Sequence, residues 1–157
     1  MTVQKNPQRD PSTGGPKRFM PDYVLEDQVG HLLRRANQRH AAIFFNGLND
    51  HQLTPTQFAA LVKVGDEQEV SQNQLGRLTA MDQATIFGVV KRLRERGLVD
   101  ARPDPGDARR SLLRLSAAGK CALEDAVPMA KQITMDTLAP LAAGERRTLL
   151  KLLRKLS

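Results

Sequence analysis

The chain holds one cysteine, Cys121. A single thiol forms no intrachain disulfide, so the fold must rest on its core, and a reduced cytoplasmic setting is the simple reading. No apolar run approaches the roughly 18 residues of a membrane span. The opening stretch MTVQKNPQRDPS lacks the apolar region of a signal peptide, so a soluble protein with no membrane partner is expected. Enzyme signatures are missing too. The three histidines, His31, His40 and His51, are not at i, i+4 spacing, and neither H-E-x-x-H nor G-x-S-x-G occurs. No glycine-rich phosphate loop follows a strand. Catalysis, a cofactor and a metal site are therefore not expected, although a metal-responsive regulator using a histidine with a carboxylate stays open as an alternative.

What is present is positive charge, and it is localised. The 157 residues fit one domain and carry 24 Lys plus Arg against 17 Asp plus Glu, a net charge of +7, which favours an anionic partner. From Lys91 to Arg114 eight basic residues face four acids, so the partner expected first is double-stranded DNA.

That basic segment belongs to VSQNQLGRLTAMDQATIFGVVKRLRERGLVDARPDPGDARRSLLRL, which starts at Val70. Ser71 three residues before Gln74 is a capping-box pattern and predicts a short helix. Thr79-Ala80-Met81 interrupts it, and Asp82 is a good N-cap for a second helix. There Ile86, Val89, Val90 and Leu93 fall at i, i+3, i+4 and i+7 and face a core. Gln83, Ala84, Phe87, Gly88, Lys91 and Arg94 fall opposite. Gly97 is placed to end the helix in a left-handed conformation. Leu98-Val99 and Ser111 to Leu115 read as two short strands around the turn signal Pro103-Asp104-Pro105-Gly106. The reading is a helix-turn-helix followed by a β-wing.

On these residues the chain resembles the MarR family of bacterial regulators. The family wing typically carries D-x-R, then a leucine, a small hydroxyl residue and a glycine; here stand Asp107-Ala108-Arg109 and Leu115-Ser116-Ala117-Ala118-Gly119. The arginine and the G-L-V that follow a family recognition helix appear in Arg94-Glu95-Arg96-Gly97-Leu98-Val99, with two residues, Glu95 and Arg96, between Arg94 and Gly97. The resemblance covers about residues 23 to 156. It implies a mainly α fold with a small β-wing, a winged helix-turn-helix in a MarR-like dimer, and DNA contacts from Ser71, Gln72, Gln83, Ala84, Thr85, Phe87, Gly88, Lys91, Arg94, Asp107, Arg109 and Arg110. One departure matters: the family often has an arginine where Gly88 stands. Hydrogen-bonded base reading from that position is then lost, and Phe87 offers apolar contact of the kind that suits a thymine methyl, if it is not half-buried packing instead.

The rest of the chain is read in order. Residues 1–22, with four prolines and Lys5, Arg9, Lys17 and Arg18, are expected to be a disordered basic tail. One long helix is predicted from Tyr23 to about Leu48, with a stripe of Leu25, Val29, Leu32, Ala36, Ile43 and Gly47. Arg39 and His40 interrupt the stripe and must be paired if they face inward. Thr54-Pro55-Thr56-Gln57 starts another helix, predicted to run to about Val64 and end at Gly65. A third long helix is predicted from about Ala117 to Leu138, bent by Pro128, and a last one from about Ala143 to Leu156. Its Leu149, Leu152, Leu153 and Leu156 lack a partner surface in so small a chain, so a homodimer is expected. The expected organisation is 23–48 and 117–157 for dimerisation, and 54–116 for the winged DNA-binding region.

The family resemblance also implies a pocket between the first helix, the Thr54 helix and the helix around Pro128. Tyr23, His31, Arg34, Arg39, His40, Phe44, His51 and Phe58 are its candidate lining, a mixture of cations and rings suited to a small aromatic carboxylate. The segment VGHLLRRANQRH resembles that of MarR-type repressors of nicotinate degradation, whose ligand is a hydroxynicotinate. The MarR-like thiol sensors place their cysteine on the first helix, so Cys121 is read as a small packing residue. The expected function is a ligand-responsive repressor, with a constitutive architectural DNA-binding protein as the alternative.

Overall fold

The structure is a computed structural model and describes residues 22–48 and 52–157, apart from the side chains of residues 108 and 109. The expectations for the basic tail up to residue 21, for His51 and for the Arg109 side chain lie outside the described residues. The chain divides between Arg35 and Ala36 into two compact units.

In the first unit a single 3-10 turn, Leu25–Asp27, precedes α1, which spans Val29–Leu48. The long helix expected from Tyr23 thus begins six residues later. The Gln28 side chain donates back to the Val24 carbonyl at 2.8 Å and the Gln28 N–H to Leu25 at 3.0 Å, so the backbone turns before the helix is entered. Leu25, Val29, Leu32 and Leu33 are 46–66% exposed.

The second unit contains the remainder of α1, then α2 (Pro55–Glu67), β1 (Val70–Ser71), α3 (Gln72–Leu78), α4 (Gln83–Glu95), β2 (Val99–Asp104), β3 (Asp107–Leu115), α5 (Ala117–Thr137) and α6 (Ala143–Leu156). Thr54 closes a full capping box with Gln57, with Pro55 in the first turn. Helix α2 runs through Gly65 to Glu67 instead of stopping there. Gly65 serves close packing: a Cβ would lie 3.1 Å from Leu115 Cδ1 and 3.3 Å from Leu123 Cδ2. The helix ends at Gln68, whose φ of 62° takes it out of helical space.

The sheet order is β1-β3-β2, all antiparallel. The wing strands are longer than predicted, and Pro103 lies inside β2, next to a register irregularity. A proline is tolerated there because β2 is an edge strand and needs no outward N–H donor. β1 was not anticipated; its two residues pair with Leu113 and Leu112.

The core gathers Leu61, Val64, Leu75, Ile86, Leu93, Val99 and Leu113, each at most 3% exposed, together with Phe44, Leu48, Ala126 and Ile133. Burying one such aliphatic side chain contributes about 1.5–3 kcal/mol. In α5 the inward positions are Gly119, Ala126 and Ile133, with Leu123 and Met129 packed alongside. Pro128 lies within this continuous helix and is exposed. Cys121, expected as packing, is exposed instead, because Ala122 and Leu123 take the inward places. Helix α6 buries none of its residues within the chain.

Candidate nucleic-acid interface and effector cleft

Helices α3 and α4 are set by their caps. Ser71 Oγ accepts the Gln74 N–H at 3.3 Å. Asp82 accepts the Thr85 N–H and the Thr85 hydroxyl proton, both at 2.8 Å. These two bonds hold the Asp82 carboxyl below its ordinary range, the backbone one having the larger effect, as expected for a carboxylate at a helix N-terminus. Between the helices, Met81 N–H reaches Gly76 O at 2.9 Å and Ala80 N–H reaches Arg77 O at 3.3 Å, with Ala80 at φ 52°. At the end of α4 the same closure recurs: Leu98 N–H to Leu93 O and Gly97 N–H to Arg94 O, both 2.9 Å, with Gly97 at φ 69°. Both are Schellman ends.

With Ile86, Val89, Val90 and Leu93 buried, α4 exposes Gln83, Ala84, Thr85, Phe87, Lys91 and Arg94. Phe87 is 60% exposed, so the half-buried packing reading does not hold. Nothing lies within 4 Å of a Cβ built on Gly88. A groove of about 830 Å³ separates α4 from the wing; Gln72, Phe87, Lys91, Arg94 and Arg114 line it. Ser71, counted among the DNA-facing residues, is buried, and its hydroxyl is occupied as the α3 cap. Arg110 Nη2 donates to that hydroxyl at 3.4 Å, and Arg102 pairs with Glu69. Both arginines tie the wing to the segment around β1. Asp107 opens β3 immediately after the wing turn, where Gly106 N–H is held by Asp104 at 2.8 Å.

The wing root is joined to α5 by the Leu115–Gly119 motif. Ser116 Oγ accepts the Gly119 N–H at 2.9 Å and donates to Gly97 O at 2.6 Å, while Ser116 N–H reaches Leu98 O at 3.1 Å. A Cβ on Gly119 would land on the Leu98 carbonyl. The glycine is there because the end of α4 touches the first turn of α5.

The candidate effector residues separate into groups. Arg39 Nη2 donates to Asp136 O at 3.2 Å, a favourable place for a cation at the carbonyl end of α5. His40 Nδ1 lies 3.0 Å from Thr137 Oγ1, whose proton is given to Ile133 O at 2.8 Å. The ring therefore donates through Nδ1, which leaves Nε2 as an acceptor when the ring is neutral. The pairing demanded by two polar residues on the α1 stripe is thus supplied by the last turn of α5. Arg39, Ile43, Gly47, Met129, Ile133 and Asp136 line a cleft of about 550 Å³. His40, Phe44 and Phe58 stand in a row with ring centroids 6.0 and 5.9 Å apart. Phe44 is a core residue at 4% exposure. In the first unit, Tyr23 is exposed, and Arg34 Nη2 lies 3.3 Å from His31 Nδ1. The cleft residues Gly47, Met129 and Ile133 carried no signal of a site in the sequence, since each fits an ordinary packing position.

Among the described residues, no group of three histidine, cysteine or acidic side chains could hold a metal. No described helix is long and apolar enough to cross a membrane.

Residues 51–110 match the sequence model of the MarR family. The chain is 47% identical over 134 residues to the HTH-type transcriptional repressor NicR of Pseudomonas putida, covering 85% of each chain. A crystal structure of a probable transcriptional regulator from Pseudomonas aeruginosa is similar at a TM-score of 0.82 and 53% identity, over 85% of this chain and all of that one. BpsR of Bordetella bronchiseptica, solved in a study of how 6-hydroxynicotinic acid regulates its DNA binding, superposes at a TM-score of 0.82 with 43% identity, over 85% of this chain and 96% of that one.

Proposed function

Since the chain belongs to the MarR family of winged helix-turn-helix transcriptional regulators, we propose that it is a cytoplasmic repressor released from its operator by a small aromatic acid, 6-hydroxynicotinate first among them. The observation that carries this reading is the likeness to a repressor and to a regulator controlled by that acid, over 85% of the chain in each case.

The operator is a pseudo-palindrome bound by a homodimer, with half-sites about one helical turn, roughly 10 base pairs, apart. Leu150, Leu152, Leu153 and Leu156 of α6 are 37–73% exposed in the single chain, and a contiguous apolar face of this kind calls for a partner surface. Residues 23–48 and 117–157 supply the dimer base and 54–116 the DNA-binding part. Helix α4 enters the major groove, with Gln83, Ala84, Phe87 and Gly88 toward base edges and Lys91 and Arg94 toward phosphates. Gln72 and Thr85 flank it, and Arg110 supports the wing. Arg109 is the wing finger for the minor groove, held by Asp107.

Arg39 and His40 anchor the acid: the guanidinium forks onto the carboxylate and the imidazole meets a ring substituent. Both sit at the last turn of α5, whose first turn is bonded to the end of α4. Ligand at one end of that helix therefore biases the placement of the other. An allosteric coupling of about 1–3 kcal/mol weakens operator binding roughly 5- to 150-fold. The test is fluorescence anisotropy of a labelled operator, selected from random duplexes by the full-length chain, titrated with 6-hydroxynicotinate and related aromatic acids. Loss of affinity in that range is expected. Indifference to the whole set would leave only constitutive DNA binding.

A further inference from the structure

The N-terminal part of the surface that α4 offers to DNA has few groups able to read bases by hydrogen bonds. Along the outward line Ala84, Phe87, Lys91, Arg94, the first two are apolar and only the last two are cationic. Gly88 beside them has no side chain and open space around it. The Thr85 hydroxyl gives its proton to Asp82 at 2.8 Å. In helix-turn-helix proteins the N-terminal part of the recognition helix meets base edges. Here that part has Gln83 as its free amide and a 60% exposed phenylalanine ring. In the major groove the apolar feature is the 5-methyl group of thymine. The ring shares a groove with Lys91, Arg94 and Arg114 and with two acids, Glu95 and Asp100, which lie 3.8 Å from Lys91 and 3.9 Å from Arg114; Arg94, one turn along the exposed face, can hold a phosphate while the ring meets the base edge.

We propose that this helix reads its operator chiefly through 5-methyl groups of pyrimidines, with Phe87 as the specificity-determining contact, Ala84 beside it, and the bare Gly88 letting the helix approach the groove floor closely. Lys91 and Arg94 fix the register on phosphates and carry no base preference. The proposal rests on the operator-binding reading above and adds what the operator must contain.

The experiment replaces the thymines of the selected operator one at a time with uracil, which removes the methyl group alone, and measures Kd at fixed salt. Affinity should fall roughly fourfold per half-site at one or two positions, the size of one methyl group's transfer out of water. 5-Bromouracil, whose bromine fills the methyl's place, should restore it. Phe87→Ala should bind thymine and uracil operators equally, and Phe87→Leu should keep part of the discrimination. Because Phe87 is exposed and the uracil series uses the unaltered protein, folding of a variant does not decide the result. If the wild type binds the operator and responds to the acid but ignores uracil at every position, this inference fails and the repressor reading stands. If no preferred duplex can be selected at all, both fail.

Discussion

Gly119→Ala tests the joint between the DNA-reading elements and α5. The added methyl falls on the Leu98 carbonyl oxygen and 3.0 Å from its carbon, and both atoms are backbone, so no side chain can swing aside. That carbonyl accepts the Ser116 N–H at 3.1 Å; pushing it away costs about 1 kcal/mol for the hydrogen bond. Overpacking strain adds about 1–3 kcal/mol. Against these stands the helix preference of alanine over glycine, about 0.5–1 kcal/mol. The net is a loss of about 1–3.5 kcal/mol. Gly88→Ala is the matched control: also within a helix, but with nothing within 4 Å of the new methyl, so it should stabilise by about 0.5–1 kcal/mol. Urea unfolding at one fixed protein concentration measures both, because a dimer's midpoint moves with concentration. Opposite signs are expected. If both variants shift stability the same way, the close approach of Leu98 to α5 is not what the glycine is for.

Two further outcomes follow from the proposed function. Arg39→Leu should fold and bind operator like the wild type, since its side chain is exposed and hydrogen-bonds to a single carbonyl, yet lose release by the acid; a full anisotropy response from this variant removes Arg39 from the site. Deleting Ala143 to Ser157 should yield a monomer or aggregate by light scattering with much weakened binding to the two-half-site operator, and a truncated dimer of normal affinity would refute the role of α6.

The helix-turn-helix was legible because its signals are local. Asp82, the Ile86 stripe and Gly97 each act within one or two turns of chain, and each reappears in the structure as a cap, a core face or a left-handed end. What was misjudged depends on partners distant in sequence. Gly65 has the appearance of a helix stop and becomes a contact point once Leu115 and Leu123 arrive. Val70-Ser71 carries no two-residue period to detect and becomes a strand because β3 presents a free edge. Pro103 argues against a strand until the sheet order puts β2 at the rim. Cys121 is a small apolar residue by type, and only the turn phase of α5 decides that its neighbours go inward.

The cleft proposed for the effector was half legible for the same reason. Sequence spacing identified Arg39 and His40 as polar residues where an apolar stripe should continue, and the demand for partners was sound. The partners are 97 residues away, at Asp136 and Thr137, and no local pattern could name them. Their position gives the region its consequence. Helix α5 is 21 residues long, about 31 Å at 1.5 Å per residue, with Arg39 and His40 bonded at its last turn and Gly97, Leu98 and Ser116 bonded at its first. A continuous helix bonded at both ends links a change at one end to the placement of the other. Under the proposed function, a carboxylate that draws Arg39 away from the Asp136 carbonyl would act on the end of α4 without touching DNA. The hydrogen bonds of Ser116 and the missing methyl of Gly119 are what let the first turn of α5 sit directly against Gly97 and Leu98.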